Sequence, residues 1–195
     1  MLSDFTNKEL FHLAIDAANQ KRSDSTLSYL KELLAREPEH PHASFLIGST
    51  YATLGMFEEA AEHLRKAVDL QPDFSVARFQ LGLSLLALNE SDKGCEQLTQ
   101  IISMEAPQSL KYFAEGLLCA QRNEKNQAIT ILEKGIQLDP DSPISHDMEE
   151  VIDALNTMPD ERVLADEKES SQPLSISSDA NELYSNDFLL GAYKK

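Results

Sequence analysis

The chain has 195 residues, 42% of them hydrophobic, enough for one domain with a true core. Seventeen basic residues against 33 acidic ones leave a formal net charge of −16. That balance argues against a main role on nucleic-acid phosphates or on anionic membrane surfaces, both of which need a basic face. No run of 18 apolar residues exists, so no membrane insertion is expected. The opening MLSDFTNKEL lacks the basic and then apolar pattern of a secretory signal. With only Cys95 and Cys119, no disulfide framework can form. The expected location is therefore the reducing cytoplasm.

Thr6-Asn7-Lys8-Glu9 reads as a capping box that opens the first helix, with Phe5 placed to staple onto Leu10. A long period follows. Leu70-Gln71-Pro72-Asp73 is echoed by Leu138-Asp139-Pro140-Asp141, 68 residues later, which is twice 34. Four units without insertion then fill 7–40, 41–74, 75–108 and 109–142. Unit position 8 holds Ala14, Gly48, Gly82 and Gly116, and position 20 holds Thr26, Ala60, Gly94 and Ala128. Small residues in both columns let two helices approach closely. Position 24 holds Leu30, Leu64, Leu98 and Leu132, and position 28 holds Leu34, Val68, Ile102 and Ile136. These form an i, i+4 apolar stripe. Position 15 holds Lys21, Gly55, Asn89 and Asn123, mostly residues that tolerate the left-handed conformation ending a helix. Position 33 holds Glu39, Asp73, Pro107 and Asp141, mostly acids suited to a helix N-terminus.

Beyond the fourth unit, Ser142-Pro143 starts a capping helix over 143–156. Ile144, Met148, Val151, Ile152 and Leu155 make its apolar stripe, and Asp147, Glu149, Glu150 and Asp153 its polar face. From 157 to 180 periodicity is lost among Pro159, Pro173 and five serines, the composition of a disordered acidic linker. The last segment regains Leu183, Tyr184, Phe188, Leu189, Leu190 and Tyr193, a candidate short docking motif. About 26 residues of linker would typically span roughly 28 Å, so the motif could reach back to the repeats in cis. Residues 143–195 carry 12 of the 33 acids but only 4 of the 17 bases, so half of the net charge lies on about a quarter of the chain.

The repeated units resemble the tetratricopeptide repeat family. Carrying the resemblance are the Leu81-Gly82 pair, Tyr51, Ala60 with Leu64, and the terminating Pro72. Position 4, often Trp in that family, is here Leu10, Ser44, Arg78 and Tyr112, and the first unit has Ala14 in place of the glycine at position 8. The resemblance implies an all-α, right-handed superhelical α-solenoid of four helix-turn-helix repeats, followed by the capping helix and a flexible tail. It also implies that positions 5, 9 and 12 of each first helix line a concave ligand groove. Phe recurs at position 5 in all four units. The candidate partner-binding groove is thus Phe11, Ile15, Phe45, Ser49, Phe79, Leu83, Leu86, Phe113 and Leu117. Against this stands a packing role for the same rings, the commoner use of an aromatic at helical spacing. Relatives that clamp the acidic tails of heat-shock chaperones use Lys, Asn and Arg in the groove. The matching places here hold Phe11, Ile15, Leu46, Val76 and Gln80, so that clamp is not expected.

No catalytic site, cofactor or metal site emerges. Six of the seven glycines fall at repeat positions with turn or packing explanations, leaving no phosphate-cradling loop. His40 and His42 have no cysteine partner near them in sequence, and Cys95 and Cys119 read as small fillers. The leading expectation is a non-enzymatic adaptor or chaperone that takes a partner's apolar peptide or amphipathic helix. A self-assembling scaffold and a regulatory accessory subunit of a separate enzyme are the alternatives.

Overall fold

The structure is a computed structural model that describes residues 2–157. The expected linker and apolar motif, up to Tyr193, lie outside the described residues. A short 3-10 helix, Leu2–Asp4, leads into α1 (Asn7–Asn19), α2 (Ser23–Arg36), α3 (Pro41–Thr53), α4 (Phe57–Leu70) and α5 (Ser75–Ala87). α6 (Ser91–Ser103), α7 (Gln108–Gln121), α8 (Lys125–Leu138) and α9 (Pro143–Thr157) follow. Among the described residues there is no strand. Each helix packs on the next, and the first helices of neighbouring repeats also touch, α3 with α5 and α5 with α7. The result is an all-α helical repeat solenoid.

The capping box at the start forms. Thr6 Oγ1 accepts from the Glu9 backbone N–H, and the Glu9 carboxylate accepts from the Thr6 N–H at 2.8 Å. Arg36, at the end of α2, donates to the carbonyls of Phe5 (2.7 Å) and Leu2 (3.0 Å), tying the leading 3-10 helix to the first repeat. Ser142 caps α9, its Oγ accepting from the Ser145 N–H at 3.2 Å.

The turns inside the repeats share one device. Among the described residues, positive φ occurs at Lys21 (56°), Gly55 (73°), Asn89 (60°) and Asn123 (63°), all at unit position 15. A left-handed residue here reverses the chain within three residues, so the second helix folds back on the first. Lys21 is the costly member, since its Cβ crowds the following carbonyl in this conformation.

The turns between repeats depart from expectation. Glu39 and Asp73 do not cap α3 or α5 with their side chains. The N-cap residues are His40 and Phe74, one position later. His40 Nδ1 accepts from the Ala43 N–H at 3.1 Å, which fixes the proton of the neutral ring on Nε2.

Two apolar clusters fill the stack. The front cluster joins Leu10, Leu30, Leu33, Ile47 and Leu64 to Ala77, Leu81 and Leu85 of α5. The rear cluster joins Phe79, Leu83 and Leu86 of the same helix to Leu98, Phe113, Leu117, Leu132 and Met148. α5 is therefore enclosed on nearly all sides, with every residue from Leu81 to Ala87 buried. α9 buries Ser145, Met148, Val151 and Leu155 and turns Glu149, Glu150 and Asp153 outward, covering the end of the rear core as a terminal repeat must.

Candidate partner-binding site

The nine groove candidates separate into two sets. Phe11, Ile15, Phe45 and Ser49, on α1 and α3, are half-buried. Phe79 and Phe113 are 1% exposed, and Leu83, Leu86 and Leu117 are no more than 5% exposed. The last five are core residues, so the nine candidates do not line one continuous open groove.

The glycines show why the rear side chains sink. A Cβ on Gly135 would lie 2.4 Å from the Phe113 ring, so this ring rests on the bare backbone of α8 in its own repeat. A Cβ on Gly94 would lie 2.8 Å from the Leu86 side chain, which packs on α6 in the same way. Phe113 and Leu86 thus turn toward the partner helix of their own repeat rather than toward a groove.

In the front half the rings gather differently. Phe11 lies 5.0 Å from His40, His40 is 6.3 Å edge-on to His42, and His42 is 5.0 Å from Phe74. Phe74 then meets Phe45 at 4.9 Å. Five rings from α1, α3 and the turns before α3 and α5 form one string along the N-terminal ends of the first helices. His40, Phe45, Phe74 and Phe11 are half-buried, and His42 is exposed. In the sequence His40 and His42 read as surface histidines rather than metal ligands, and Phe74 carries no site signal of its own. The missed signal is that unit position 34 and position 2 of the next unit flank the position-5 ring. Ser49 Oγ donates to Gln80 Oε1, bridging α3 and α5 with a polar link.

Other reactive groups are tied into packing. Burial pushes the Cys95 thiol upward, aided by Asp92. Burial also raises the Cys119 thiol, aided by a hydrogen bond with Glu124, the opposite of an activated thiolate. His63 stacks on Tyr51 at 5.7 Å, and Lys31 Nζ sits 5.6 Å from the centre of the Tyr51 ring. Burial lowers the His63 pKa. Among the described residues, no group of three or more His, Cys, Asp or Glu side chains is placed to hold a metal. No described helix is long and apolar enough to cross a membrane.

The comparisons with known proteins agree with the fold. Residues 11–73 and 112–142 each match a family model described as tetratricopeptide repeat. No curated protein matches the chain. Among solved structures, a thermophilic TPR protein of Thermus thermophilus is 20% identical with a TM-score of 0.61, over 78% of this chain and 82% of that one. MamA is 19% identical with a TM-score of 0.59, over 69% of this chain and 79% of that one. YrrB, described as a TPR protein with an unusual peptide-binding site, is 17% identical with a TM-score of 0.57, over 74% of each chain. At these identities the likeness is one of fold. With the 34-residue period, the helix-turn-helix units and both family matches, the chain belongs to the tetratricopeptide repeat family.

Proposed function

We propose that the protein is an interaction adaptor whose front half receives an apolar segment of a protein partner. The contact surface is Phe11, Ile15, Phe45 and Ser49, extended by His40, His42 and Phe74. The observation that carries this reading is the string of five rings, in contact yet incompletely covered. Aromatic anchors that are rigid and partly exposed are the usual source of binding energy at an interface. Each Å² of apolar area covered contributes roughly 25 cal/mol before ordering costs. An amphipathic helix that presents aliphatic residues at i, i+3, i+4 and i+7 suits such a surface. The acidic molecule favours basic residues on the outer face of that helix. A peptide-binding site described for YrrB, a protein of similar fold, is consistent with this use.

The test is selection from a library of amphipathic-helix peptides on the wild-type protein, followed by titration of the winners against Phe11→Ala/Phe45→Ala. Affinity should fall at least roughly tenfold, the loss expected when two anchor rings are truncated. If the variant binds the same peptides equally well, the front surface is not the site. Sedimentation over a range of concentrations separates this reading from self-assembly, which would give a mass that rises with concentration.

A further inference from the structure

Arg78 stands in the first-helix column where the other repeats carry Leu10, Ser44 and Tyr112. It is only 9% exposed. A neutral side chain there would avoid the cost of desolvating a charge. The compensation present is incomplete. Nη1 donates to Gln97 Oε1 at 2.9 Å and to Gln100 Oε1. Nη2 donates to the Pro72 carbonyl at 3.0 Å. A guanidinium has five N–H groups, and three are thereby used. Nε has no partner, and neither has the second hydrogen of Nη2. None of the three acceptors is a carboxylate. Nε and Nη2 are the two nitrogens through which a guanidinium takes a carboxylate side-on.

Arg78 lines an open pocket of about 430 Å³ between α4, α5 and α6. Val68, Pro72, Leu81 and Leu85 supply apolar wall, and Arg65 and Lys93 add two more cations. Asp69 and Glu96 also line it, so three cations face two acids in this pocket on a molecule of net charge −16. Lys93 is held by Glu90, whereas Arg65 has no acid partner among the described residues. The pocket is formed largely by the second helices α4 and α6, away from the rings on α1 and α3.

We infer that this pocket is a second recognition site, one that takes a carboxylate of a protein partner adjoining an aliphatic group. The carboxylate pairs with the unused N–H groups of Arg78, a small rotation of the side chain bringing Nε to it. Arg65 holds the charge at the rim, and the aliphatic body lies along Pro72 and the edge of Val68, with Leu81 and Leu85 directly behind. The site is independent of the ring string, so either can fail alone.

The probe is 4-methylpentanoate, with 4-methylpentanamide and sodium chloride as controls. The readout is the ¹H–¹⁵N resonance of Arg78 Nε–H in the full-length chain. A saturable shift with the carboxylate alone is expected at millimolar concentrations. Arg65→Ala should weaken it about two- to fivefold, the worth of one rim charge. Arg78→Lys should abolish saturable binding, followed by the methyl spectrum of Leu81 and Leu85, while Phe45→Ala leaves the titration unchanged. An Nε–H resonance that does not move, or that moves equally with the amide or with chloride, overturns the assignment. Should Arg78→Lys fail to fold, the Arg65→Ala titration decides alone, and an unchanged affinity there also overturns it.

Discussion

Phe11 and Phe45 keep part of their rings at the surface, whereas Phe79 and Phe113 are 1% exposed, although all four occupy the same repeat position. The difference lies in the neighbours. In the rear half, Leu83 and Leu117 at position 9 join one apolar cluster with Ala114 of α7 and Met148 of α9. Gly135 also leaves a bed for Phe113. In the front half, position 9 of the second repeat is Ser49, which spends its hydroxyl on Gln80, and the inter-repeat turn brings in His40, His42 and Phe74. One column thus serves stability in one half and supplies a surface in the other. A recurring residue in a repeat array has no fixed role until its partners in the next helix are known.

Truncation should break this contrast most sharply. Phe113→Ala leaves a cavity in the rear core and should cost about 3–5 kcal/mol in urea unfolding. Phe45→Ala, already half in water, should cost about half as much or less. Equal losses would remove the distinction between the halves. Overpacking gives the next largest effect. Gly135→Leu places atoms where the Phe113 ring lies and should destabilise by about 1–3 kcal/mol, read from the same unfolding curves. A neutral result would mean the ring has room to move aside.

The halves should also respond oppositely to acid. Burial, and then the charge of Glu150, push the Asp147 carboxyl on α9 up to about 6, with His146 opposing. Asp147 is protonated more readily in the fold than in the unfolded chain. Its contribution is complete below its ordinary value of 3.8 and is lost as pH rises through about 6. His63 on α4 is lowered below 6.5 by burial, with Glu62 opposing and Lys66 and Lys31 assisting. Its contribution is complete above 6.5 and is lost as pH falls through the depressed value. Asp147→Asn should therefore stabilise the protein at pH 7 and not at pH 4. The gain should be on the order of 1 kcal/mol once solvent screening is counted. His63→Gln should flatten the acid limb instead, and melting temperatures from pH 4 to 8 would show both. The smallest effect belongs to the entry of α1. Thr6→Ala removes one half of the capping box and should cost about 0.5–1 kcal/mol, with fraying confined to the first turn in amide exchange.

Much of the fold was legible because it is written in local chemistry that recurs. Gly55, Asn89 and Asn123 marked the left-handed turns, and their register led to Lys21, which would not have been chosen alone. Thr6 and Glu9 announced the first helix directly. The site was less legible. The four phenylalanines look alike in sequence, and what separates them is contact with Gly135, His40 and Phe74, residues in other columns of the repeat. The acids at position 33 misled as caps because the chain turns one residue later, at His40 and Phe74. Arg78 was visible only as a departure from the family pattern. That its charge is buried without a carboxylate depends on where Gln97, Gln100 and the Pro72 carbonyl come to rest.

The double membership of α5 bears on how the stack comes apart. Repeat arrays often unzip from an end, because each unit depends only on its neighbours. Here Ala77, Leu81 and Leu85 face one cluster and Phe79, Leu83 and Leu86 the other. Losing α5 opens both cores at once, and neither half keeps a closed wall without it. The strongest coupling in the array therefore lies at its centre. The four repeats should melt as a single cooperative unit, with partial opening restricted to α1–α2 at one end and α9 at the other.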